Sequence, residues 1–217
     1  MGECKCLSCI IKCRGTITLI SVSSMATVSK FDEETGSLAR EHITRFLQRT
    51  AENLSSCSGR LLEVGPQDRS VVRQFFGNYA HETFDIVDTY KPTHVGDLTK
   101  RNDSIPDETY DCVVCMEVLE HTLDPFRAVE EMRRILKHEG YLLVSAPLNW
   151  RIHGPIPDCW RFTEHGFKIL LRDFEILEID ILETPGRDLF PLHYNVLAKT
   201  DKLKRSADSD LVFRFID

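Results

Sequence analysis

Residues 110–125 of the chain read Tyr-Asp-Cys-Val-Val-Cys-Met-Glu-Val-Leu-Glu-His-Thr-Leu-Asp-Pro, and they carry the clearest fold signal. The first seven of these residues are almost all apolar, which predicts a strand buried on both faces. The apolar positions of residues 126–136 recur at helical spacing, and Gly140 is predicted to end that helix. Tyr141–Ala146 is a second apolar strand. This order of strand, helix and strand is typical of a parallel sheet.

The same alternation extends in both directions from this stretch. Short apolar runs bounded by glycine or polar residues predict strands, and amphipathic segments predict helices. Upstream, the predicted elements are a helix over Asp32–Leu54, strands over Leu61–Gly65, Thr83–Asp88 and Thr93–Asp97, and a short helix around Val71–Phe76. Downstream, they are a helix over Thr163–Leu171 and strands over Glu175–Leu182 and His193–Lys199. The predicted fold class is therefore α/β: a doubly wound, mostly parallel sheet with helices on both faces and an antiparallel closing strand.

Length and charge limit the domain organisation and the partners. The 217 residues suffice for one α/β domain, which we place at 31–200, between a disordered, cysteine-containing leader (1–30) and a polar tail (201–217). The net charge of −7 makes nucleic acid an unfavourable partner, because binding a phosphate backbone requires a basic face. No apolar run approaches the roughly 18 residues that span a bilayer. The sequence leaves the oligomeric state open.

The eight cysteines indicate a reducing compartment. Cys112 and Cys115 lie in the predicted buried strand, where a thiol behaves as a small hydrophobic side chain. We therefore predict no disulfide framework and a cytoplasmic location. Four other cysteines crowd the first thirteen residues, and metal binding or acylation of that cluster is the alternative to a disordered leader.

Three acidic residues mark the ends of three successive predicted strands. In open α/β sheets, ligands bind outside the carboxyl ends of the strands. Glu63 is followed by Gly65, at which a ligand can approach bare backbone. Asp88 can accept hydrogen bonds from two ribose hydroxyls. Asp97 can accept one from an adenine amino group while Leu98 packs on the ring.

The first glycine turn, residues 65–70, discriminates between two classes of ligand. A dinucleotide-binding fold has two further glycines here, so that a pyrophosphate can lie on the helix N-terminus. This chain has Gln67 and Ser70 at those positions. S-adenosylmethionine carries no phosphate and requires less of the loop. The turn therefore favours the methyl donor over NAD, and a nicotinamide-dependent oxidoreductase remains the weaker rival.

Residues 105–147 resemble the type 11 group of class I methyltransferases. The features that recur together in that group are the strand ending at Met116, the Leu119-Glu120-His121 turn, Asp124-Pro125, and the helix end between Arg134 and Gly140. The resemblance extends over about residues 58–200. It implies a seven-stranded, Rossmann-like sheet.

Two features depart from the pattern of that group. The first turn lacks the usual second glycine, and the loop 89–92 is too short for the helix that normally joins the second and third strands.

The resemblance also implies a cofactor and an activity. The cofactor is S-adenosylmethionine, and the activity is methyl transfer to an oxygen or nitrogen of a small molecule. A non-catalytic, methyltransferase-like partner subunit is the alternative, which the incomplete glycine turn favours. The predicted cofactor-binding residues are Glu63, Gly65, Asp88, Asp97, Leu98, Met116 and Glu117.

The segment 148–163 is the predicted acceptor side, because it leaves the fifth strand at the carboxyl edge. It is dense in aromatic and polar side chains, and it resembles a stretch found in a subset of these enzymes. We predict His153 as the proton acceptor with His121 as a second catalytic group, and Trp150, Trp160 and Arg161 as acceptor-binding residues. The alternative is a packed connector in which Arg161 pairs with Asp158.

Glu117, Glu120 and His121 have the spacing of a metal site, since i, i+3 and i+4 side chains share one face of a helical turn. Some class I O-methyltransferases hold a metal on such a turn together with a later histidine, which would here be His153. Many others carry the turn without a metal. We predict no metal and keep these three residues as the alternative.

Overall fold

A computed structural model describes residues 28–66, 71–155 and 157–202. Its sheet contains β1 (Gly59–Val64), β2 (Tyr79–Asp85), β3 (His94–Val95), β4 (Tyr110–Met116), β5 (Leu136–Pro147), β6 (Phe174–Thr184) and β7 (Arg187–Thr200). Its helices are α1 (Lys30–Asn53), α2 (Val72–Phe75), α3 (Pro125–Ile135) and α4 (Glu164–Leu170). A single 3₁₀ turn, Leu119–His121, follows β4.

The seven strands lie in the order β3-β2-β1-β4-β5-β7-β6. The first five pair in parallel, whereas β7 runs antiparallel to both β5 and β6. This confirms the predicted doubly wound, mostly parallel sheet and its antiparallel closing strand. Because β7 runs in reverse, its first half lies at the edge where the parallel strands end.

Two hydrophobic cores cover the two faces of the sheet. On one face, α1 contributes Phe46 and Leu47 to a cluster with α2. On the other, α3 and α4 contribute Met132 and Phe167. Cys112 and Val114 of β4 belong to the first core, and Val113 and Cys115 belong to the second. The prediction that β4 is buried on both faces is therefore confirmed.

Local signals define the beginnings of the helices. Ser29 caps α1 in a capping box with Asp32, and Asp124 caps α3, in which Pro125 is the first residue. Thr163 caps α4 by accepting a hydrogen bond from the amide of Gly166. The predicted end of α3 at Gly140 is wrong: the helix ends at Ile135.

Strand β2 ends three residues earlier than predicted. The prediction placed Asp88 at its carboxyl end, but the last strand residue is Asp85. The Asp85 carboxylate accepts a hydrogen bond from the amide of Val87 at 3.1 Å, which turns the chain out of the sheet. Asp88 lies beyond this turn, where its side chain is 64% exposed and pairs with Lys91 at 2.7 Å. The strand-end position predicted for Asp88 is therefore wrong.

The connection between β2 and β3 contains no helix, as its length predicts. It can be short because β3 pairs only with Phe84 and Asp85, the last two residues of β2. Most of the predicted tail and most of the predicted leader lie outside the described residues. Within the described part, the four cysteines are free thiols, and no helix is long and apolar enough to cross a bilayer.

Candidate active site

The carboxyl ends of the parallel strands form one edge of the sheet, and the predicted cofactor side begins at Gly65. Gly65 has φ +65°, and its amide donates to the carbonyl of Phe84 at 2.8 Å. A Cβ at this position would lie 2.8 Å from a methyl group of Val118. Glycine is therefore required both by the backbone conformation and by the close approach of the next turn. Glu63 is buried in β1, two residues before it.

The acid at the end of β2 is Asp85, which the sequence reasoning missed. Its residue is 8% exposed and lies at the edge, directly beside Gly96, whose amide donates to the Asp85 carbonyl at 3.0 Å. Ile86, which follows it, is 68% exposed. An acid followed by an exposed apolar side chain offers hydrogen bonding and an apolar surface at one point.

Asp97 follows β3 at the same edge. Its carboxylate accepts from the amide and hydroxyl of Thr99 at 2.9 and 2.7 Å, and it pairs with Lys100 at 3.1 Å. Burial alone would raise the pKa of Asp97, but these donors hold it below its usual range. The carboxylate is therefore ionised at neutral pH. Leu98 is buried in the core beside it.

Glu117 links the end of β4 to β5 and β7. Its φ is +56°, a left-handed conformation that is unusual for a residue other than glycine. Ser145 stabilises it twice, since its Oγ accepts from the Glu117 amide and donates to the Glu117 carboxylate. Nε2 of His193 lies 2.6 Å from the same carboxylate oxygen. Burial alone would raise the pKa of Glu117, but His193 and Ser145 hold it below its usual range.

A buried polar chain leads inward from Glu117, and the sequence reasoning missed it. Nδ1 of His193 lies 3.4 Å from Nδ1 of His42 on α1, and Nε2 of His42 lies 3.1 Å from Asp180 on β6. Asn195 donates to His42 at 3.0 Å. These groups come from α1 and from the closing strands β6 and β7, which lie more than 100 residues later in the sequence. Through His193, these groups hold the Glu117 side chain in place from the interior of the protein.

Glu120, His121 and His153 lie close together on the predicted acceptor side. The Glu120 side chain is fully buried, and its Oε1 lies 3.7 Å from Nε2 of His121 and 3.9 Å from Nε2 of His153. The two imidazole rings pack edge to face with centroids 4.9 Å apart. Burial, and then the charge of Glu117, raise the pKa of Glu120 well above its usual range. The turn after β4 and the segment after β5 therefore form one site.

Hydrogen bonds hold the segment 148–163 onto this turn. The amides of Cys159 and Trp160 both donate to the Glu120 carbonyl, and the indole N–H of Trp160 donates to the Thr122 carbonyl at 2.9 Å. Trp160 is 37% exposed and stacks on Phe162. One part of the Trp160 ring system therefore remains available to a ligand.

Trp150 and Arg161 are already engaged within the protein. The Trp150 ring packs so closely on Gly36 of α1 that an added Cβ there would lie 3.0 Å from it. Both terminal nitrogens of Arg161 bind the Asp158 carboxylate, and they also donate to the carbonyls of Trp160 and Arg151. These are the contacts of a packed connector.

Asp158 organises the segment and was not a predicted site residue. Its side chain is 1% exposed and accepts hydrogen bonds from Arg161 and from the His153 amide, the latter at 2.9 Å. The same carboxylate lies 3.1 Å from Nδ1 of His153. Burial alone would raise its pKa, but Arg161 and His153 lower it to about 2. Five of the residues singled out from the sequence lie at the turn after β4: Glu117, Glu120, His121, His153 and Trp160. Met116 ends β4 beside them.

Comparison with known proteins identifies the family. A model of the methyltransferase domain matches residues 33–175, well over half of the chain. The ubiquinone biosynthesis O-methyltransferase of Aliivibrio fischeri (strain MJ11) is 30% identical over 115 residues, 48% of this chain and 49% of that protein. The chain thus spans about half the length of the curated relatives it matches.

Solved structures share the fold. A SAM-dependent methyltransferase from Archaeoglobus fulgidus superposes with a TM-score of 0.56 at 17% identity, covering 74% of this chain and 94% of that one. The DszA carbon methyltransferase superposes with a TM-score of 0.60 at 14% identity, covering 76% and 55%. The family match, together with the strand order and the glycine turn, leads to one conclusion. The chain belongs to the methyltransferase-domain family of class I S-adenosylmethionine-dependent methyltransferases, and S-adenosylmethionine is its cofactor.

Proposed function

We propose that this chain transfers a methyl group from S-adenosylmethionine to an oxygen or nitrogen atom of a small molecule. One observation carries the proposal. His121 lies on the turn that follows the donor-side residue Glu117, His153 lies on the segment after β5, and the Nε2 atoms of both lie within 4 Å of Glu120 Oε1. A proton acceptor therefore stands beside the edge at which class I enzymes hold the methyl donor.

On the donor side, we propose Asp85 as the anchor for the ribose hydroxyls. It ends β2 twenty residues after Gly65, which is about the spacing at which nucleotide-binding sheets place their ribose acid. Ile86 would then cover one face of the adenine, and Asp97 would accept from its amino group. Asp88 remains the earlier prediction for the ribose, but its exposure and its pairing with Lys91 favour Asp85.

The other predicted cofactor contacts keep their roles in this proposal. Gly65 admits the donor close to the backbone, and Met116 and Glu117 line the edge at the end of β4. Glu63 and Leu98 are buried, so each would contribute through the shape and charge of the edge.

On the acceptor side, His153 is the proposed proton acceptor. Its Nδ1 is held by Asp158, which leaves Nε2 with a free lone pair. His121 is arranged in the same way, because its Nδ1 lies 3.0 Å from the Pro157 carbonyl. Trp160 supplies an apolar wall. Arg161 acts through Asp158 as a positioning residue in this proposal, since its terminal donors are already engaged.

The reaction requires little more than alignment, because the sulfonium is already activated. A lone pair on the acceptor forms a bond to the methyl carbon, the S–CH₃ bond breaks, and the sulfur leaves as a neutral thioether. The proton of the acceptor O–H or N–H passes to an imidazole Nε2. The similarity to an O-methyltransferase of ubiquinone biosynthesis supports oxygen as the receiving atom.

Incubation of the full chain with methyl-labelled S-adenosylmethionine and a low-molecular-weight metabolite extract tests this function. We expect label to enter a small-molecule fraction, and none to do so with heat-inactivated protein. Label found only in protein or nucleic acid would contradict a small-molecule acceptor. Donor binding without any transfer, over extracts from several sources, would favour the non-catalytic partner instead.

A further inference from the structure

The carboxylate of Glu117 is held through only one of its two oxygens. Its Oε1 accepts a hydrogen bond from the Ser145 hydroxyl at 2.9 Å and lies 2.6 Å from Nε2 of His193. Its Oε2 is not a buried atom, and no donor among the described residues bonds to it. The side chain as a whole is 32% exposed. One oxygen is therefore fixed inside the protein, and the other is open to a ligand.

The order of the strands fixes this arrangement. β5 lies between β4 and β7 in the sheet. Met116, the last residue of β4, pairs with Ser145 of β5. Pro147, the last residue of β5, pairs with His193 of β7. Glu117, Ser145 and His193 therefore lie side by side at the edge of the sheet where class I enzymes bind the methyl donor.

His193 is itself fixed from its far side. It is a buried residue, and its ring packs edge to face on His42 of α1 with centroids 5.6 Å apart. His42 is held in turn by Asn195 and Asp180. The imidazole of His193 therefore has little freedom to rotate, and it keeps Oε1 of Glu117 directed into the protein.

Glu117 lies at the boundary between the donor edge and the acceptor side. After burial, the charge of Glu117 is the largest cause that raises the pKa of Glu120. Against the effect of burial, His193 lowers the pKa of Glu117 most, and His153 lowers it as well. Charges that act on one another in this way lie close together. The methyl group must cross this same boundary, and the sulfonium is the charged group that carries it.

We propose that the open oxygen of Glu117 binds the sulfonium end of the methyl donor, and that His193 is the positioning residue that turns this oxygen outward. The sulfonium is positive before the transfer, whereas the sulfur of the product, S-adenosylhomocysteine, is neutral. A carboxylate beside the sulfur therefore favours the donor over the product. This inference rests on the proposed function, because His153 marks the acceptor side only there.

Calorimetric titration of the full chain with S-adenosylmethionine and with S-adenosylhomocysteine tests this role. The measured quantity is the ratio of the two dissociation constants. Glu117→Gln keeps the shape of the side chain and removes its charge. We expect this variant to bind S-adenosylmethionine about tenfold or more weakly and to bind S-adenosylhomocysteine within about threefold of the unchanged chain.

Glu108→Gln is the matched control for Glu117→Gln. Glu108 also has a left-handed backbone, with φ +54°, and its side chain is 57% exposed. It precedes β4, at the opposite edge of the sheet. The same change of charge is therefore made away from the donor edge, and neither affinity should change.

Two substitutions of His193 separate its positioning role from a merely structural one. His193→Leu removes the group that holds Oε1, so the ratio of the two dissociation constants should move in the same direction as in Glu117→Gln. In His193→Gln the side-chain amide supplies an N–H donor to Glu117 again, and the ratio should return toward that of the unchanged chain. A structural role alone would weaken the binding of both ligands alike in both variants.

An unchanged ratio in Glu117→Gln would overturn this inference. An equal loss of affinity for both ligands would overturn it as well, because that result indicates a contact with a group that donor and product share. Melting curves verify folding, and if Glu117→Gln does not fold, the comparison of His193→Leu with His193→Gln decides. Binding of both ligands with an unchanged ratio contradicts this inference alone, whereas an unchanged chain that binds neither ligand contradicts the proposed function together with it.

Discussion

Replacing His153 by alanine is expected to lower the rate of methyl transfer about 100-fold or more at saturating S-adenosylmethionine. The substitution removes the Nε2 atom that lies 3.9 Å from Glu120 and that we propose as the proton acceptor. The measurement is the single-turnover rate with the acceptor identified from the labelled extract.

The affinity for S-adenosylmethionine should not change in this variant, because His153 lies outside the proposed donor contacts. His165→Ala is the matched control, since it removes an exposed histidine of α4 and should leave the rate as it is. A rate for His153→Ala close to that of the unchanged protein would place the acceptor chemistry elsewhere.

Replacing Asp158 by alanine is expected to destabilise the fold by about 3–5 kcal/mol, a fall in melting temperature on the order of 10 °C. The side chain is 1% exposed and binds both terminal nitrogens of Arg161, so its removal leaves a half-buried guanidinium without its carboxylate. Thermal unfolding followed by circular dichroism measures the effect.

Asp103→Ala is the control for Asp158→Ala, because it also removes a carboxylate paired with an arginine. Its side chain is 86% exposed and pairs with Arg101, so we expect a change within about 1 kcal/mol. Equal melting temperatures for the two variants would show that the Asp158–Arg161 pair does not hold the segment in place.

The order of strands and helices could be predicted because it follows from the local periodicity of apolar residues. The buried strand β4, the Asp124-Pro125 start of α3 and the Thr163 cap of α4 all follow from neighbouring residues. The two incorrect predictions, the ends of β2 and of α3, arose where the local sequence favours a longer element than the structure contains. Ile86 and Val87 continue the apolar run of β2, yet the Asp85 side chain turns the chain before them and leaves both exposed.

The end of α3 shows the same conflict between local sequence and tertiary pairing. Lys137 and His138 before Gly140 are typical of a last helical turn. In the structure, Leu136 pairs with Tyr110 and already belongs to β5. Sheet pairing with a strand 26 positions earlier overrides the helical pattern, and no short window of sequence contains that information.

The proposed acceptor site could be predicted only in part. Glu117, Glu120 and His121 are neighbours in sequence, and the topology placed His153 beside the same edge. His193, in contrast, reaches the site because β7 is antiparallel, and its partner His42 comes from α1. Such contacts depend on the packing of distant elements. The density of histidines and acids in the chain was the available signal, but it does not specify pairs.

Isothermal titration calorimetry of the full chain with S-adenosylmethionine measures whether the carboxyl edge of the sheet binds the methyl donor. We predict a single saturable site that Asp85→Asn weakens about ten- to hundredfold, the loss of one charged hydrogen-bond acceptor. Asp88→Asn should leave the affinity unchanged, because that carboxylate is exposed and pairs with Lys91. Absence of saturable binding would contradict a donor site at this sheet edge. A loss of affinity in Asp88→Asn, with unchanged affinity in Asp85→Asn, would contradict it as well.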